Sequence, residues 1–81
     1  MKEKVIEIVR EVYAQTPEIE ITGDTDIIND LGSSSLEMLI FINELEENFK
    51  VVLKPEYFSQ KCTVDDVCAI LSEVLKKNEN L

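Results

Sequence analysis

The chain has 81 residues, of which 44% are hydrophobic and 31% charged, and its formal net charge is −9. This balance favours a single globular domain spanning residues 1–81 over a disordered chain. No apolar run is long enough to cross a bilayer, and the charged start lacks the apolar region of a signal peptide. We therefore expect a cytoplasmic protein with no membrane partner.

The middle of the chain is acidic without compensating basic residues. Ten of them lie between Arg10 and Lys50, where no Lys or Arg occurs. Such a surface repels phosphate backbones, which excludes nucleic acid as an expected partner, and it attracts basic protein surfaces. An acidic surface can also serve solubility alone, so charge by itself leaves both interpretations open.

The residue types exclude most catalytic and metal sites. There is no histidine, the commonest general base and a frequent metal ligand. Cys62 and Cys68 have no companion Cys or His at zinc-site spacing, so we expect two buried thiols. A calcium loop starting at Asp24 fails because Ser35 stands where the bidentate Glu is needed.

The first helix is predicted over residues 3–14, followed by a long ordered loop over residues 17–34. The helix should end near Thr16 and Pro17, because the residue before proline is pushed out of helical geometry. Its apolar positions recur at helical spacing: Val5, Ile8, Val9 and Val12. Several isolated apolar side chains should pin the loop to the core: Ile19, Ile21, Ile27, Ile28 and Leu31. Loops of this length are usually functional.

The second helix is predicted from about Ser35 to Phe49. Its expected buried stripe consists of Leu36, Leu39, Ile42 (or Ile40), Leu45 and Phe49. Four glutamates are expected on its outer face: Glu37, Glu44, Glu46 and Glu47.

Two further helical segments complete an all-α bundle of three long helices and one short helix. Pro55 should open a short turn over residues 55–60, since proline suits a first helical position. Thr63 should cap the last helix, with Asp66 completing a capping box. The expected core face of this helix is Val64, Val67, Ile70, Leu71 and Val74.

Three consecutive serines, Ser33, Ser34 and Ser35, precede the second helix. One of them can cap the helix, since serine oxygen accepts a hydrogen bond from a free backbone N–H. A helix N-terminus also stabilises a bound phosphate, so a serine there can carry a phosphodiester. A hydrolase is excluded, because only half of G-x-S-x-G is present and no histidine can activate the serine.

The segment "DLGSSSLEMLIFINELEENF" resembles the signature of the acyl carrier protein family, in which D-L-G-x-D-S-L opens the second helix and L-E-E-x-F closes it. Length, helix order and acidity agree with this family over nearly the whole chain. The resemblance implies a carrier that is not an enzyme. It implies that Ser35 receives 4′-phosphopantetheine from coenzyme A through a separate phosphopantetheinyl transferase with magnesium, and that the arm then holds acyl groups as thioesters.

The resemblance also implies that the carrier is a monomer whose partners are acyl-loading and acyl-processing enzymes with basic docking patches. The candidate docking residues are Glu37, Glu44, Glu46, Glu47, Asp30, Leu36, Met38 and Ile40. An ordinary solvated helix face remains the alternative for the glutamates, because single surface charges contribute little. Ile40 and Phe41 are interpreted either as extra core or as an apolar docking patch.

The chain departs from the family pattern at two positions. Ser34 stands where the family usually has Asp, which removes a carboxylate that a transferase can grip. Ile40 stands where fatty-acid carriers tend to have an acid. The closing "LEENF" resembles fatty-acid and polyketide carriers more than peptidyl ones. Alternatives are an aminoacyl, peptidyl or D-alanyl carrier, and a helical interaction module in which Ser35 is only a cap. The aliphatic core also suggests that an acyl chain can be sequestered between helices.

Overall fold

The computed structural model describes residues 1–13, 20–59 and 62–79. They form three α-helices and one 3-10 helix: α1 (Lys2–Val12), α2 (Ser35–Phe49), the 3-10 helix (Pro55–Phe58) and α3 (Val64–Glu79). The predicted all-α class is confirmed. The short fourth element is a single 3-10 turn, and the described residues contain no helix long and apolar enough to span a membrane.

α1 packs against both α2 and α3, and the core lies between the three helices. Each helix contributes three fully or almost fully buried apolar side chains, which are Val5, Ile8 and Val9, then Phe41, Ile42 and Leu45, then Val64, Val67 and Leu71. α1 begins one residue earlier than predicted and ends at Val12, which is only half-buried. Tyr13 follows as the C-cap and is buried, whereas Thr16 and Pro17 lie outside the described residues.

The predicted bounds of α2 are confirmed, but the predicted buried stripe is wrong over its first two turns. Leu36, Leu39 and Ile40 are 68%, 53% and 46% exposed. The buried side chain in these turns is Phe41, with Met38 packed partly against the core. Six of the seven residues from 36 to 42 are apolar. Helical periodicity therefore fits more than one face, and burying the aromatic ring removes the most apolar area from water.

The loop before α2 is tied to the start of α3. The Ile27 N–H donates to the Cys62 carbonyl at 2.9 Å, and the Val64 N–H donates to the Thr25 carbonyl at 3.1 Å. Of the predicted pinning residues, Ile21, Ile27 and Leu31 are buried, Ile28 is 39% exposed, and Ile19 lies outside the described residues. These contacts fix the loop to the bundle just before the chain reaches Ser33.

The start of α3 confirms the predicted capping box. The Asp66 N–H donates to the Thr63 hydroxyl and the Thr63 N–H donates to the Asp66 carboxylate, each at 3.1 Å. On the predicted core face, Ile70 and Val74 are half-buried and the other three residues are buried. Cys62 is buried and Cys68 half-buried, and both thiols are free. Burial raises the pKa of Cys62 to about 11, so this thiol is unreactive at neutral pH.

Candidate functional site

The three serines before and at the start of α2 have three different environments. Ser34 is the N-cap, with extended backbone angles of φ −78° and ψ 169°. Its hydroxyl accepts a hydrogen bond from the Glu37 N–H at 3.1 Å, and its own N–H donates to the Glu37 carboxylate at 3.1 Å. This capping box satisfies two backbone groups at the helix start that would otherwise lack partners.

The Ser33 side chain contacts a buried residue of the core. Its hydroxyl oxygen lies 2.6 Å from the phenol oxygen of Tyr13, which is 2% exposed. Ser33 also donates to the Ser34 carbonyl at 3.1 Å. The hydroxyls of Ser33 and Ser34 are therefore both engaged in local structure.

Ser35 is the first residue of α2, and its side chain is exposed. Among the residues that the structure describes, none makes a hydrogen bond to the Ser35 hydroxyl. The interpretation of Ser35 as only a cap is wrong, because Ser34 fills that position. The free backbone N–H groups of the first turn and the helix dipole favour a negative charge beside Ser35.

A cleft of about 390 Å³ opens beside the serines. One side is formed by Ser33, Ser34 and Ser35, and the remaining lining is mostly apolar: Ile28, Met38, Leu39, Pro55 and Phe58. Its size lies within the range of small-molecule sites, about 300–1,000 Å³. The exposed Ser35 and an apolar cleft thus lie side by side.

The loop leading to the serines is ordered by its own acids. The Asp26 carboxylate accepts hydrogen bonds from the N–H groups of Ile28 and Asn29, each at 2.9 Å. The bond from the Asn29 N–H is the main reason that the pKa of Asp26 lies below its usual value. The Asp30 carboxylate accepts from the Asp26 N–H at 2.8 Å. Gly32 then adopts φ +64°, a conformation that glycine reaches without strain, and the chain turns into the serines.

Three of the five acidic docking candidates make local hydrogen bonds. Asp30 binds the loop backbone, Glu37 completes the capping box, and the Glu46 carboxylate accepts from the Leu53 N–H at 2.9 Å. Glu44 is half-exposed and Glu47 exposed, on the later turns of α2. The hydrogen bonds of Asp30 and Glu46 to the backbone were not apparent from the sequence.

Apolar side chains surround Ser35 on the outside of the bundle. Leu36, Leu39 and Ile40 share one exposed face of α2, as their spacing of three and four residues requires. Met38, also a docking candidate, is instead half-buried and lines the cleft. Leu39 was missed as a site residue because it was assigned to the core. Tyr13 was missed because its contact with Ser33 joins residues 20 apart, which helical spacing cannot indicate.

Comparison with known proteins agrees with this geometry. Residues 3–71 match the sequence model of the family described as "Phosphopantetheine attachment site". The chain is 31% identical over 77 residues to an acyl carrier protein of Exiguobacterium sp. strain AT1b, covering 91% of this chain and 98% of that protein. It is 33% identical over 67 residues to an acyl carrier protein of Syntrophus aciditrophicus, covering 83% of this chain and 82% of that protein. An acyl carrier protein of Petrotoga mobilis is 31% identical over 77 residues, or 91% of each chain.

Proposed function

The chain belongs to the acyl carrier protein family, and we propose that Ser35 is the residue that carries its 4′-phosphopantetheine arm. One observation supports this assignment above the others. Of the three serine hydroxyls at the start of α2, those of Ser33 and Ser34 are engaged in hydrogen bonds, while that of Ser35 is exposed. Ser35 is therefore the serine that a second protein can reach without breaking local structure.

The residues around Ser35 fit a phosphodiester-linked arm. The first turn of α2 offers N–H groups and a dipole that favour the negative phosphate. The cleft offers apolar walls from Ile28, Met38, Leu39 and Phe58 beside the attachment point. When attached, the arm supplies a thiol that holds acyl groups as thioesters. This chain supplies the attachment hydroxyl and the surrounding surface, and the separate transferase supplies the base and magnesium that activate the hydroxyl.

The partners of this carrier are a phosphopantetheinyl transferase and acyl-loading and acyl-processing enzymes of fatty-acid or polyketide type. Their basic patches would face the acids along α2: Glu37, Glu44, Glu46, Glu47 and, in the loop, Asp30. The exposed apolar residues Leu36 and Ile40 stand between Ser35 and the later acids of α2, which are Glu44, Glu46 and Glu47. Met38 is half-buried, so its contact with a partner would be made at the edge of the cleft. The docking surface is thus largely apolar beside the arm, where Glu37 is the one acid of α2, and acidic farther along the helix.

The domain organisation follows from the same assignment. Residues 1–81 form one carrier domain, with the 3-10 helix Pro55–Phe58 as the short helix of a four-helix carrier bundle. The carrier acts as a monomer in the cytoplasm. Its two free thiols, Cys62 and Cys68, suit a reducing compartment of this kind.

Intact mass spectrometry tests the attachment site. The native chain is incubated with coenzyme A, magnesium and a broad-specificity transferase, alongside Ser35→Ala and the control Ser72→Ala, whose serine is exposed on α3. We expect one phosphopantetheine on the native chain and on Ser72→Ala, and none on Ser35→Ala. An arm on Ser35→Ala would reject the assignment. Failure of transferases from several classes on folded native protein would favour the interaction module without an arm.

A further inference from the structure

A chain of hydrogen bonds runs from the buried core to the start of α2. It begins at the Tyr13 hydroxyl, passes through the Ser33 hydroxyl and ends on the Ser34 carbonyl. A serine hydroxyl has one proton, and Ser33 gives it to the Ser34 carbonyl, so Tyr13 donates the 2.6 Å bond. Burial raises the pKa of Tyr13 further above neutral pH, so the phenol carries its proton there.

Tyr13 and Ser33, which share the 2.6 Å hydrogen bond, differ in how firmly they are held. The Tyr13 N–H donates to the Val9 carbonyl at 2.9 Å, and its ring contacts the Phe41 ring with centroids 6.2 Å apart. Both α1 and α2 therefore fix the phenol. Ser33 instead lies in irregular backbone directly after Gly32, whose φ is +64°. The Ser33 N–H donates only a long bond of 3.4 Å to the Ile27 carbonyl, so the phenol is the more rigid reference for its hydroxyl.

The Ser34 carbonyl, which accepts the last of these hydrogen bonds, also takes part in the first turn of α2. It accepts the Met38 N–H at 3.0 Å, one of the first hydrogen bonds of the helix. Ser35 follows this carbonyl directly, so the orientation of the Ser34 peptide group, with the helical backbone angles of Ser35, sets the direction in which the Ser35 side chain leaves the helix. The hydrogen bond from Ser33 and the bond from Met38 hold that peptide group from two sides.

We propose that Tyr13 is a positioning residue for the modification of Ser35, which it orients through Ser33 and the Ser34 carbonyl. The inference rests on the proposed function, in which Ser35 receives the arm. A side chain whose backbone anchor is held in place has less orientational freedom to lose when its hydroxyl reacts, and a small displacement of a reacting group lowers the rate strongly. Tyr13 does not touch the transferred group and acts only through its neighbours.

Tyr13→Phe tests whether the Tyr13 hydroxyl positions Ser35 or whether Ser33 only provides this buried hydroxyl with a hydrogen-bond partner. It keeps the ring and its contact with Phe41 and removes the hydroxyl. Ser33→Ala removes the acceptor, and the double variant tests whether the two act together. The control is Tyr57→Phe, which removes a hydroxyl from the 3-10 helix, where Tyr57 is 42% exposed. Circular dichroism first establishes that every variant is folded at the assay temperature.

The readouts are kcat and KM for arm transfer and the hydrogen exchange of the Glu37 and Met38 amides, which both donate to Ser34. We expect Tyr13→Phe and Ser33→Ala each to lower kcat about fivefold, the factor that corresponds to one neutral hydrogen bond, with little change in KM. The double variant should be no slower than either single variant. Exchange of the two amides should accelerate in these variants and remain native in Tyr57→Phe.

Three outcomes would overturn the inference. Folded Tyr13→Phe could transfer the arm at the native rate, the two single effects could multiply in the double variant, or Tyr57→Phe could be equally slow. A native chain that accepts no arm would overturn the proposed function together with this inference. A native chain armed at Ser35, with Tyr13→Phe armed equally fast, would overturn this inference alone.

Discussion

Ser34 and Glu37 hold each other at the start of α2: the Ser34 hydroxyl accepts the Glu37 N–H, and the Glu37 carboxylate accepts the Ser34 N–H, both at 3.1 Å. This reciprocal pair separates two roles that adjacent serines share in the sequence. Ser34 stabilises the helix end, and the neighbouring Ser35 side chain is left exposed to solvent. Removing the Ser34 hydroxyl and removing the Ser35 hydroxyl should therefore affect stability differently.

Ser34→Ala and Ser35→Ala should differ in stability although they remove the same atom from adjacent residues. Loss of the Ser34 cap should lower the free energy of unfolding by about 1 kcal/mol. Ser35→Ala should change it by less than about 0.5 kcal/mol, because the exposed hydroxyl is replaced by a better helix former. Urea denaturation of the unmodified proteins measures both. Equal losses in the two variants would contradict the assignment of the cap to Ser34.

Ser34→Asp should keep the cap and restore the carboxylate that this family usually has before the modified serine. Asp caps helices about as well as Ser and suits the positive helix end, so stability should stay within about 0.5 kcal/mol of the native value. With a housekeeping transferase, kcat/KM should rise up to about fivefold, since an exposed ion pair contributes at most ~1 kcal/mol. Ser72→Asp adds the same charge on α3 and should leave the rate unchanged. An unchanged rate for Ser34→Asp would show that the transferase does not recognise a carboxylate at this position.

Lys50 ends α2 in a left-handed conformation, with φ 56° and ψ 48°. A residue with a Cβ is strained there and glycine is not, so Lys50→Gly should stabilise the fold by about 0.5–1 kcal/mol. Lys50→Ala removes the same charge but keeps the Cβ, and it should show no such gain. Denaturation midpoints of the three proteins measure the difference. A gain in Lys50→Ala equal to that in Lys50→Gly would point to charge rather than backbone conformation.

Asp26 should contribute to the acid stability of the loop before Ser35. Its pKa lies below the usual value, chiefly because the carboxylate accepts the Asn29 N–H. A carboxyl with a lowered folded pKa stabilises the fold above the unfolded pKa, and this contribution is lost as pH falls through the folded pKa. The free energy of unfolding should therefore decrease as pH falls below about 4. Asp26→Asn should flatten this part of the pH profile.

Asp24 provides the matched control for this pH profile. It is exposed in the same loop, two residues before Asp26. Asp24→Asn should leave the acid slope close to that of the native chain. If Asp26→Asn showed the native slope as well, the hydrogen bonds from Ile28 and Asn29 would not be the source of the acid sensitivity.

The helix bounds and caps could be predicted from local sequence because their signals are local. Pro55 and Thr63 with Asp66 mark element starts through neighbouring residues, and the structure has them there. The S-x-x-E pattern at Ser34 and Glu37 is an equally local signal, and it would have identified the cap among the three serines. The start of α2 near Ser35 was predicted from the apolar pattern of the helix, whereas the role proposed for Ser35 came from the family signature.

Two parts of the site depended on tertiary packing and could not be predicted in the same way. The run of apolar residues at the start of α2 fits several helix faces, so the exposure of Leu39 and Ile40 is decided by which side chain the bundle buries. Phe41 is the side chain that is buried, because burying its large ring removes the most apolar area from water. The contact between Tyr13 and Ser33 depends on how α1 and the loop meet, and nothing in the spacing of either segment indicates it.

The exposure of Leu36 and Leu39 on one face of α2 allows a matched test of acyl sequestration. Both are more than half exposed, but only Leu39 lines the cleft beside Ser35. A long acyl chain that enters this cleft is bound only by the folded state, so it must raise the melting temperature of the acylated carrier above that of the unloaded carrier. Leu39→Ser should remove much of that increase, because it replaces apolar wall with a hydroxyl.

Leu36→Ser should keep the increase, since Leu36 lies outside the cleft. Each variant is compared with its own unloaded form by thermal denaturation, so the effect of the substitution on intrinsic stability cancels. An equal reduction in both variants would mean that the chain lies along the outer face of α2 rather than in the cleft. No increase in the native acylated carrier would mean that the acyl chain stays in solvent.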